Sequence, residues 1–388
     1  MLVPKLRLIH QEREYNTLSP TSISHLNTEQ KPVLVFHCAS HGEFDMVVPL
    51  LTEDLRKKYF LVAAFFSPSG FKHAKTTKLV HHKVYVPWDT KGDMKAYLDA
   101  LKPHTYVFVK YDFWLNLITI LGKRNIETVV VNGLVRQKAF YFKPLFSAWK
   151  RTMKSFDHWF VQDKESAQEL NENGIKRVTV TGDLRFERVF TGKLTAQPNT
   201  RLEQFTKDKT TIIFGSSWPE EEAFISSVLD AFSDACVVVA PHDVSENHIA
   251  EIAARNTEYN PIRFSESDGR TTSRLLILDT IGLLREAYQY ADLAIIGGGY
   301  GRGLHNVLEP AVWNIPVLCG PETHKNPEAH ELQAISGLQT VVNDSDVIQA
   351  IQAKLEPNNI SGIQQNIERW FSKKKPSTHE VLDYFLAS

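Results

Sequence analysis

The sequence predicts an α/β protein made of two successive doubly wound domains, and three observations carry that prediction. Short apolar runs alternate with helical patterns over residues 33–181 and again from residue 211 onward. A polar stretch without apolar periodicity, residues 193–208, separates the two series. Loops rich in serine, glycine and charge follow many of the apolar runs, at the strand ends where open α/β sheets hold ligands.

Residues 1–31 are polar and irregular, and little order is expected there. The chain divides accordingly into a first domain at 32–192, a linker at 193–209 and a second domain at 210–388. The first strand, 33–37 (VLVFH), runs straight into Cys38, Ala39, Ser40, His41, Gly42 and Glu43. Residues 44–59 then show helical periodicity, with Val47, Val48, Leu50, Leu51 and Leu55 on the apolar face. Glu43 therefore sits at a strand-to-helix turn. An acid there suits a ligand site, and it equally complements the dipole of the helix it begins.

Further strands are expected at 61–66, 84–87, 106–110, 128–132, 159–162 and 178–181, with a helix at 91–101. Residues 140–156, FYFKPLFSAWKRTMKSF, interrupt this rhythm with six aromatic residues among Lys143, Lys150, Arg151 and Lys154. Such a helix either packs its rings into the core or lies on a membrane surface.

In the second half, strand 211–214 leads into Gly215, Ser216, Ser217 and Trp218. Strand 236–240 ends in Pro241, His242 and Asp243, and strand 275–278 ends in Asp279, Thr280, Ile281 and Gly282 before a helix at 283–290. Strand 293–296 is followed by five glycines: Gly297, Gly298, Gly299, Gly301 and Gly303. A helix is expected to start near Asn306, with one more strand at 315–318. A glycine-rich turn ahead of a helix offers N–H groups to an anion such as phosphate. Asn306 and Glu309, three apart, also have the spacing of a capping box that only closes a helix. No strict GxGxxG is present: counted from Gly297 and Gly299 the third glycine falls on Arg302, and from Gly299 and Gly301 on Leu304.

Composition narrows the chemistry. Apolar residues make up 43% and charged residues 23% of the 388, as in a soluble globular protein. With 44 basic and 45 acidic residues the formal charge is -1, so no global field favours nucleic acid. The three cysteines, Cys38, Cys236 and Cys319, are far apart and form no CxxC pair, which argues for a reducing compartment and against structural zinc. No run approaches the roughly 18 apolar residues of a membrane-spanning helix. HExxH, GxSxG and GxxxxGK[ST] are all missing. Asp344-Ser345-Asp346 has the spacing of a DxD metal motif, but it precedes a helix at 347–355 and reads as an N-cap. No metal is expected.

Nine motifs in fixed order carry a family resemblance: HCASHGEFD (37–45), FFSPSG (65–70), VKYDFWLN (109–116), FVQDKES (160–166), VTGDLRFERV (180–189), FGSSWPEEE (214–222), APHDVSENHI (240–249), DTIG (279–282) and GGGYGRGLHNVLEPA (297–311). From about residue 33 to 342 the chain resembles the 3-deoxy-D-manno-octulosonic acid (Kdo) transferases of lipopolysaccharide synthesis, in the form found in the Bacteroidetes group. The resemblance implies the GT-B glycosyltransferase fold, two Rossmann-like domains facing across a cleft. It implies transfer of Kdo from CMP-Kdo to a lipid A precursor with inversion, with no cofactor and no metal. Glu43 matches the family's general base. Asn306 and Glu309 match its NxxE pair for the donor nucleotide, and Ser216, Ser217, Pro241, His242, Thr280, Ile281, Gly282 and Arg185 fall at donor contacts. Ser40, Gly42, Ser69, Gly70, Lys110, Asp112 and Arg136 fall on the acceptor side.

The chain departs from the family at several points. Many relatives have Pro-Arg at Pro241-His242, and two glutamates at Lys110 and Asp112. The family's longer hydrophobic N-terminal helix is missing or shortened here, which shifts the expected contact with the cytoplasmic face of the inner membrane to residues 140–156. The same fold would also serve an enzyme of another nucleotide sugar, a hydrolase or epimerase among them, or an inactive sugar-nucleotide-binding relative.

Overall fold

The computed structural model describes residues 26–73, 79–137, 139–269, 271–374 and 378–387. It forms two compact units, Met1–Arg188 with Lys375–Ser388, and Val189–Lys374. The expected loose stretch at 1–31 lies outside the described residues as far as residue 25.

The first unit holds β1 (Val33–Cys38), β2 (Phe60–Phe65), β3 (His82–Tyr85), β4 (Thr105–Val109), β5 (Glu127–Gly133), β6 (His158–Val161) and β7 (Val178–Val180). They form one parallel sheet in the order β3-β2-β1-β4-β5-β6-β7. The apolar run 33–36 of β1 follows from burial on both faces. Val33 and Val35 enter one core with Tyr106, Phe108 and Trp159, while Leu34, Phe36 and Cys38 enter the other with Phe44, Leu55 and Phe65.

The second unit repeats this plan with β8 (Thr210–Ser217), β9 (Ala235–Pro241), β10 (Ile262–Arg263), β11 (Leu275–Ile277), β12 (Leu293–Ile296), β13 (Val317–Cys319) and β14 (Leu338–Thr340). The order is β10-β11-β9-β8-β12-β13-β14, again parallel throughout. In each sheet the winding reverses beside one strand. β1 lies between β2 and β4, and β8 lies between β9 and β12. Loops leaving the strands on either side of such a reversal diverge and leave a crevice at the carboxyl edge.

The structure differs from the sequence expectation in several elements. The single helix expected at 44–59 is a helix His41–Val47, a 3-10 turn Val48–Leu50 and a second helix Glu53–Lys58. Pro49 supplies no N–H to continue the first helix, and the Thr52 hydroxyl accepts from the Leu55 N–H to begin the next. The segment expected as linker is largely helical: helix Leu184–Thr195 runs into it, and helix Thr200–Thr206 buries Leu202 and Phe205 behind an Asn199 cap. Both helices present too few turns of apolar period to stand out in a polar stretch. β10 and β14 were not expected, being short edge strands. The DxD-like acids do begin a helix, Asp344–Leu355, with Asn343 as the cap.

The last helix, Thr378–Ala387, also departs from the division at 210–388, because it packs on the first unit. Val381 and Phe385 are fully buried there. Phe385 meets Phe36 edge-on at 6.5 Å, the Tyr59 hydroxyl donates to the Phe385 carbonyl at 3.0 Å, and the Tyr384 hydroxyl donates to Glu127 at 2.9 Å. Phe385→Ala is therefore expected to destabilise the first unit by about 3–5 kcal/mol. Urea unfolding followed by tryptophan fluorescence would register this as an earlier transition.

Candidate functional site

In the first unit the carboxyl ends of β1, β2 and β4 bring the chemistry together. The loop after β1 closes in a capping box: the Ser40 hydroxyl accepts from the Glu43 N–H at 3.4 Å, and Glu43 Oε2 accepts from the Ser40 N–H at 3.3 Å. Glu43 is thus fixed at the mouth of helix His41–Val47, on the β1 side of the winding reversal. Burial, and after it the neighbouring Asp112, raise its pKa to about 7 against the N–H groups of Ala39 and Ser40 and the charge of Lys110, which lower it. A carboxyl group so placed exchanges a proton near neutral pH, as a general base requires.

Lys110 and Asp112 leave the end of β4 on the other side of the reversal. Lys110 has a left-handed backbone, φ 65°, and its ammonium lies 4.9 Å from the Tyr111 ring. Burial alone would raise the pKa of Asp112, but its bonds to His37 and Trp114 hold it below the usual range. Gly70 belongs to helix Pro68–His73, and a Cβ there would come within 3.0 Å of the His41 nitrogen and 2.8 Å of the Phe65 ring. That close approach brings the loop after β2 against Ser40. Ser69 lies in the same helix. Gly42 has no such steric demand, with the Ser40 hydroxyl 3.9 Å from a Cβ position. Arg136 is exposed on the loop after β5. Arg185, expected at the donor, sits in the first unit and forks onto Asp183, whose carboxylate also takes the Asn132 amide.

In the second unit the loops after β8, β9, β11 and β12 gather at the other reversal. Here the glycines serve close packing as much as any ligand. A Cβ on Gly297 would stand 2.1 Å from the Ser216 carbonyl oxygen, and one on Gly299 would stand 2.6 Å from the Gly320 nitrogen. Two loop N–H groups already have partners: Gly297 donates to Gly215, and Gly298 donates to the buried Glu221 carboxylate. Ser216 is itself left-handed, φ 51°. The Ser217 hydroxyl donates to Glu222, which also takes His248 at 3.0 Å.

Asn306 and Glu309 do not form the capping box that their spacing suggested. Helix Leu308–Ala311 begins two residues late, the Asn306 oxygen accepts from the Leu308 N–H at 3.1 Å, and Glu309 Oε1 accepts from Arg285 Nε at 2.9 Å. Pro310 follows at once and offers no N–H to a longer cap. Thr280, Ile281 and Gly282 form an exposed turn, with Gly282 at φ 102°. Pro241 is buried at the end of β9, and the His242 N–H donates to the Ser217 carbonyl.

Residues outside the sequence expectation complete the two loop clusters. The His242 ring stacks on Trp218 at 4.3 Å, Trp218 Nε1 donates to His305 Nε2 at 3.1 Å, and the Arg302 guanidinium lies 4.4 Å from the Trp218 ring. Burial and the proximity of His242 lower the pKa of His305 to about 4, so its ring is neutral and its Nδ1 carries the hydrogen. Trp218, Glu221 and His305 all fall inside the sequence motifs 214–222 and 297–311, and His37 falls inside 37–45. Their positions were legible there and their partners were not. Among the described residues no group of three or more His, Cys, Asp or Glu is placed to hold a metal ion.

Comparison with known proteins agrees with this picture. Residues 12–188 match the family model described as 3-Deoxy-D-manno-octulosonic-acid transferase (kdotransferase). The 3-deoxy-D-manno-octulosonic acid transferase of Aquifex aeolicus is 25% identical over 334 residues, covering 82% of this chain and 84% of that protein. That of Rickettsia bellii is 24% identical over 380 residues, covering 90% and 85%. Among solved structures, a Neisseria meningitidis UDP-GlcNAc 2-epimerase superposes with a TM-score of 0.63 at 13% identity, covering 92% of this chain and all of the other, which supports the fold alone. The two parallel α/β units are those of the GT-B fold, and the family match over residues 12–188 together with these relatives supports a glycosyltransferase of the Kdo transferase kind.

Proposed function

We propose that this protein transfers Kdo from CMP-Kdo to a lipid A precursor with inversion, and that Glu43 is the general base. The observation that carries this reading is the placement of Glu43: capped at Ser40, largely buried, and with its proton affinity raised to about 7. In the reaction an acceptor hydroxyl passes its proton to the Glu43 carboxylate while its oxygen bonds to the anomeric carbon. The bond from that carbon to the CMP phosphate breaks on the opposite side, and CMP leaves as the anion. Donor binding falls to the second unit, with Asn306, Glu309 and the loops at Ser216, His242 and Gly282 as its contacts. Arg285 orients the Glu309 carboxylate. No metal ion is invoked.

Contact with a membrane surface is proposed through residues 140–156. The expected helix is broken at Pro144 into two 3-10 turns and a helix Ser147–Met153. Its aromatics divide between the two roles that the sequence left open. Tyr141, Phe142 and Phe156 are buried in the core, while Phe140 and Phe146 are 49% and 37% exposed and Leu145 is 89% exposed. Lys143, Arg151 and Lys154 are exposed on the same segment, which suits anionic headgroups. Among the described residues no helix is long and apolar enough to cross a membrane.

The deciding experiment is a transfer assay with fresh CMP-Kdo and a lipid A precursor. The wild type is expected to form product, and Glu43→Gln to lose about 10²–10⁴-fold in rate with CMP affinity unchanged. Absence of CMP binding to the wild type would sink the donor assignment. Glu43→Gln also bears on stability. Since burial raises the pKa of Glu43, its ionised form destabilises the fold increasingly as pH rises from about 4.5 toward 7. The variant should therefore melt higher than wild type at pH 8, with the difference shrinking at pH 5.

Glu309→Ala is expected to weaken CMP binding by roughly tenfold or more, measured by calorimetry. A lowered melting temperature with unchanged affinity would leave Glu309 only its bond to Arg285. For the membrane contact, Leu145→Glu should lower sedimentation with phosphatidylglycerol vesicles several-fold while transfer to a detergent-dispersed acceptor persists.

A further inference from the structure

Four loops at the carboxyl edge of the first sheet are stitched to one another by hydrogen bonds. After β2 the Ser67 N–H donates to the carbonyl of Ala39, the residue before the Ser40 that caps Glu43, at 2.9 Å. After β3 the Val86 N–H donates to the Phe65 carbonyl at 2.8 Å. The loop after β3 is tied in turn to helix Leu115–Lys123, which follows β4. Trp114, at the start of that helix, makes no side-chain cap, and the Asp89 carboxylate replaces it by accepting from the Asn116 and Leu117 N–H groups, each at 3.0 Å. Within this frame Phe66 meets two indoles edge-on, Trp88 at 5.4 Å and Trp114 at 4.9 Å. Trp114 is held further: its Nε1 donates to Asp112 Oδ1 at 3.1 Å, and the His37 ring lies edge-on to it at 5.3 Å. A carboxylate oxygen can only accept, so His37 Nε2 donates to Asp112 Oδ2 at 3.2 Å. His37 Nδ1 then accepts from the Tyr106 hydroxyl at 3.0 Å, and the Tyr97 hydroxyl meets that of Tyr106 at 3.4 Å. Trp88 alone of the three rings is left largely open, at 41% exposure. An exposed indole whose surroundings are already fixed has little freedom left to lose on meeting a ligand.

We propose that Trp88, braced by Phe66 and Trp114, binds the acceptor by taking the C–H face of a pyranose ring against its indole. The sheet edge that carries Glu43 then also holds the sugar whose hydroxyl is to be glycosylated. The inference rests on the proposed transfer to a sugar acceptor and adds a residue to that reading. A pyranose presents a face of C–H bonds, polarised positive by its oxygens, and a rim of hydroxyls. An indole face is flat and negative, so the two stack. The hydroxyl rim calls for polar neighbours, and the adjoining loops offer Thr90, exposed, with Lys110 and Asp112 half-buried. An acyl chain would instead need a groove of aliphatic side chains. Among the described residues of the loops after β2, β3 and β4, the large apolar side chains left exposed are Trp88 and Tyr111, and both are rings. A nucleotide base would stack on an indole as well, but the donor falls to the second unit in the proposed reaction.

The test is a binding titration with the acyl-free glucosamine disaccharide, read by saturation transfer from the protein to the sugar ring protons. The wild type is expected to bind it, Trp88→Ala to bind roughly tenfold more weakly, and Trp88→Phe, which keeps a flat ring, to recover most of the loss. Trp88→Leu, apolar without a ring face, should stay weak. No binding by the wild type, equal binding by Trp88→Ala, or full recovery by Trp88→Leu would each overturn the proposal. Excess CMP should leave the signal unchanged, and displacement by CMP would make Trp88 a donor contact instead. Because the indole is exposed, all three variants should melt close to wild type. In the transfer assay Trp88→Ala should raise the acceptor KM roughly tenfold and leave the KM for CMP-Kdo constant. The titration needs no donor, so a protein that binds the disaccharide through Trp88 but transfers no Kdo refutes the proposed function and leaves this subsite standing. A protein that transfers Kdo equally well as Trp88→Ala refutes the subsite alone.

Discussion

Every strand pairing in both sheets is parallel, and that single constraint organises the rest of the molecule. A parallel pair cannot be joined by a tight turn, so each connection must cross a face of the sheet and cover it. Both faces become buried, which is why β9 reads as an unbroken apolar run and β1 as one interrupted only by His37. All loops leaving the strands' carboxyl ends fall on one edge of each sheet. Where the winding reverses, beside β1 and beside β8, neighbouring loops diverge. Glu43, Lys110 and Asp112 flank the first reversal, and Ser216, Ser217 and the glycine loop flank the second. The chemistry is placed by topology before any particular side chain is chosen.

Local packing then fixes that placement at the level of single atoms. In the second unit the loops after β8, β12 and β13 approach so closely that side chains at Gly297 and Gly299 would collide with neighbouring backbone. In the first unit Gly70 allows the loop after β2 to press on Ser40. Glu43 is buried at some expense in stability, and the Ser40 cap compensates part of it. Such local conflict between stability and proton affinity is characteristic of residues held for chemistry.

The sequence disclosed the strands well because buried parallel strands are short, apolar and bounded by turn residues. It was a poorer guide wherever tertiary contacts decide. The Asn306–Glu309 spacing matched a capping box, yet Glu309 turned to Arg285, twenty-four residues earlier in the chain. Phe140 to Phe156 looked like one amphipathic helix, and Pro144 broke it into pieces with divided allegiance. Among the site residues Glu43 was legible as the acid at a strand-to-helix turn. His37 was not, because a histidine inside an apolar strand shows nothing of the tyrosines and the aspartate that it joins. Arg185 was expected as a donor cation from its motif alone, and its fork onto Asp183 was invisible at a spacing of two.

The return of helix Thr378–Ala387 to the first unit has a consequence for synthesis. The second unit, Val189–Lys374, is continuous in sequence and has all of its core residues as soon as it emerges. The first unit begins to emerge earlier but lacks Val381 and Phe385 until the whole second unit has been made. One face of its sheet, around Phe36 and Tyr59, therefore stays only partly covered on the ribosome. The half that starts first is finished last, and its exposed apolar face makes the nascent chain a client for chaperones over that interval.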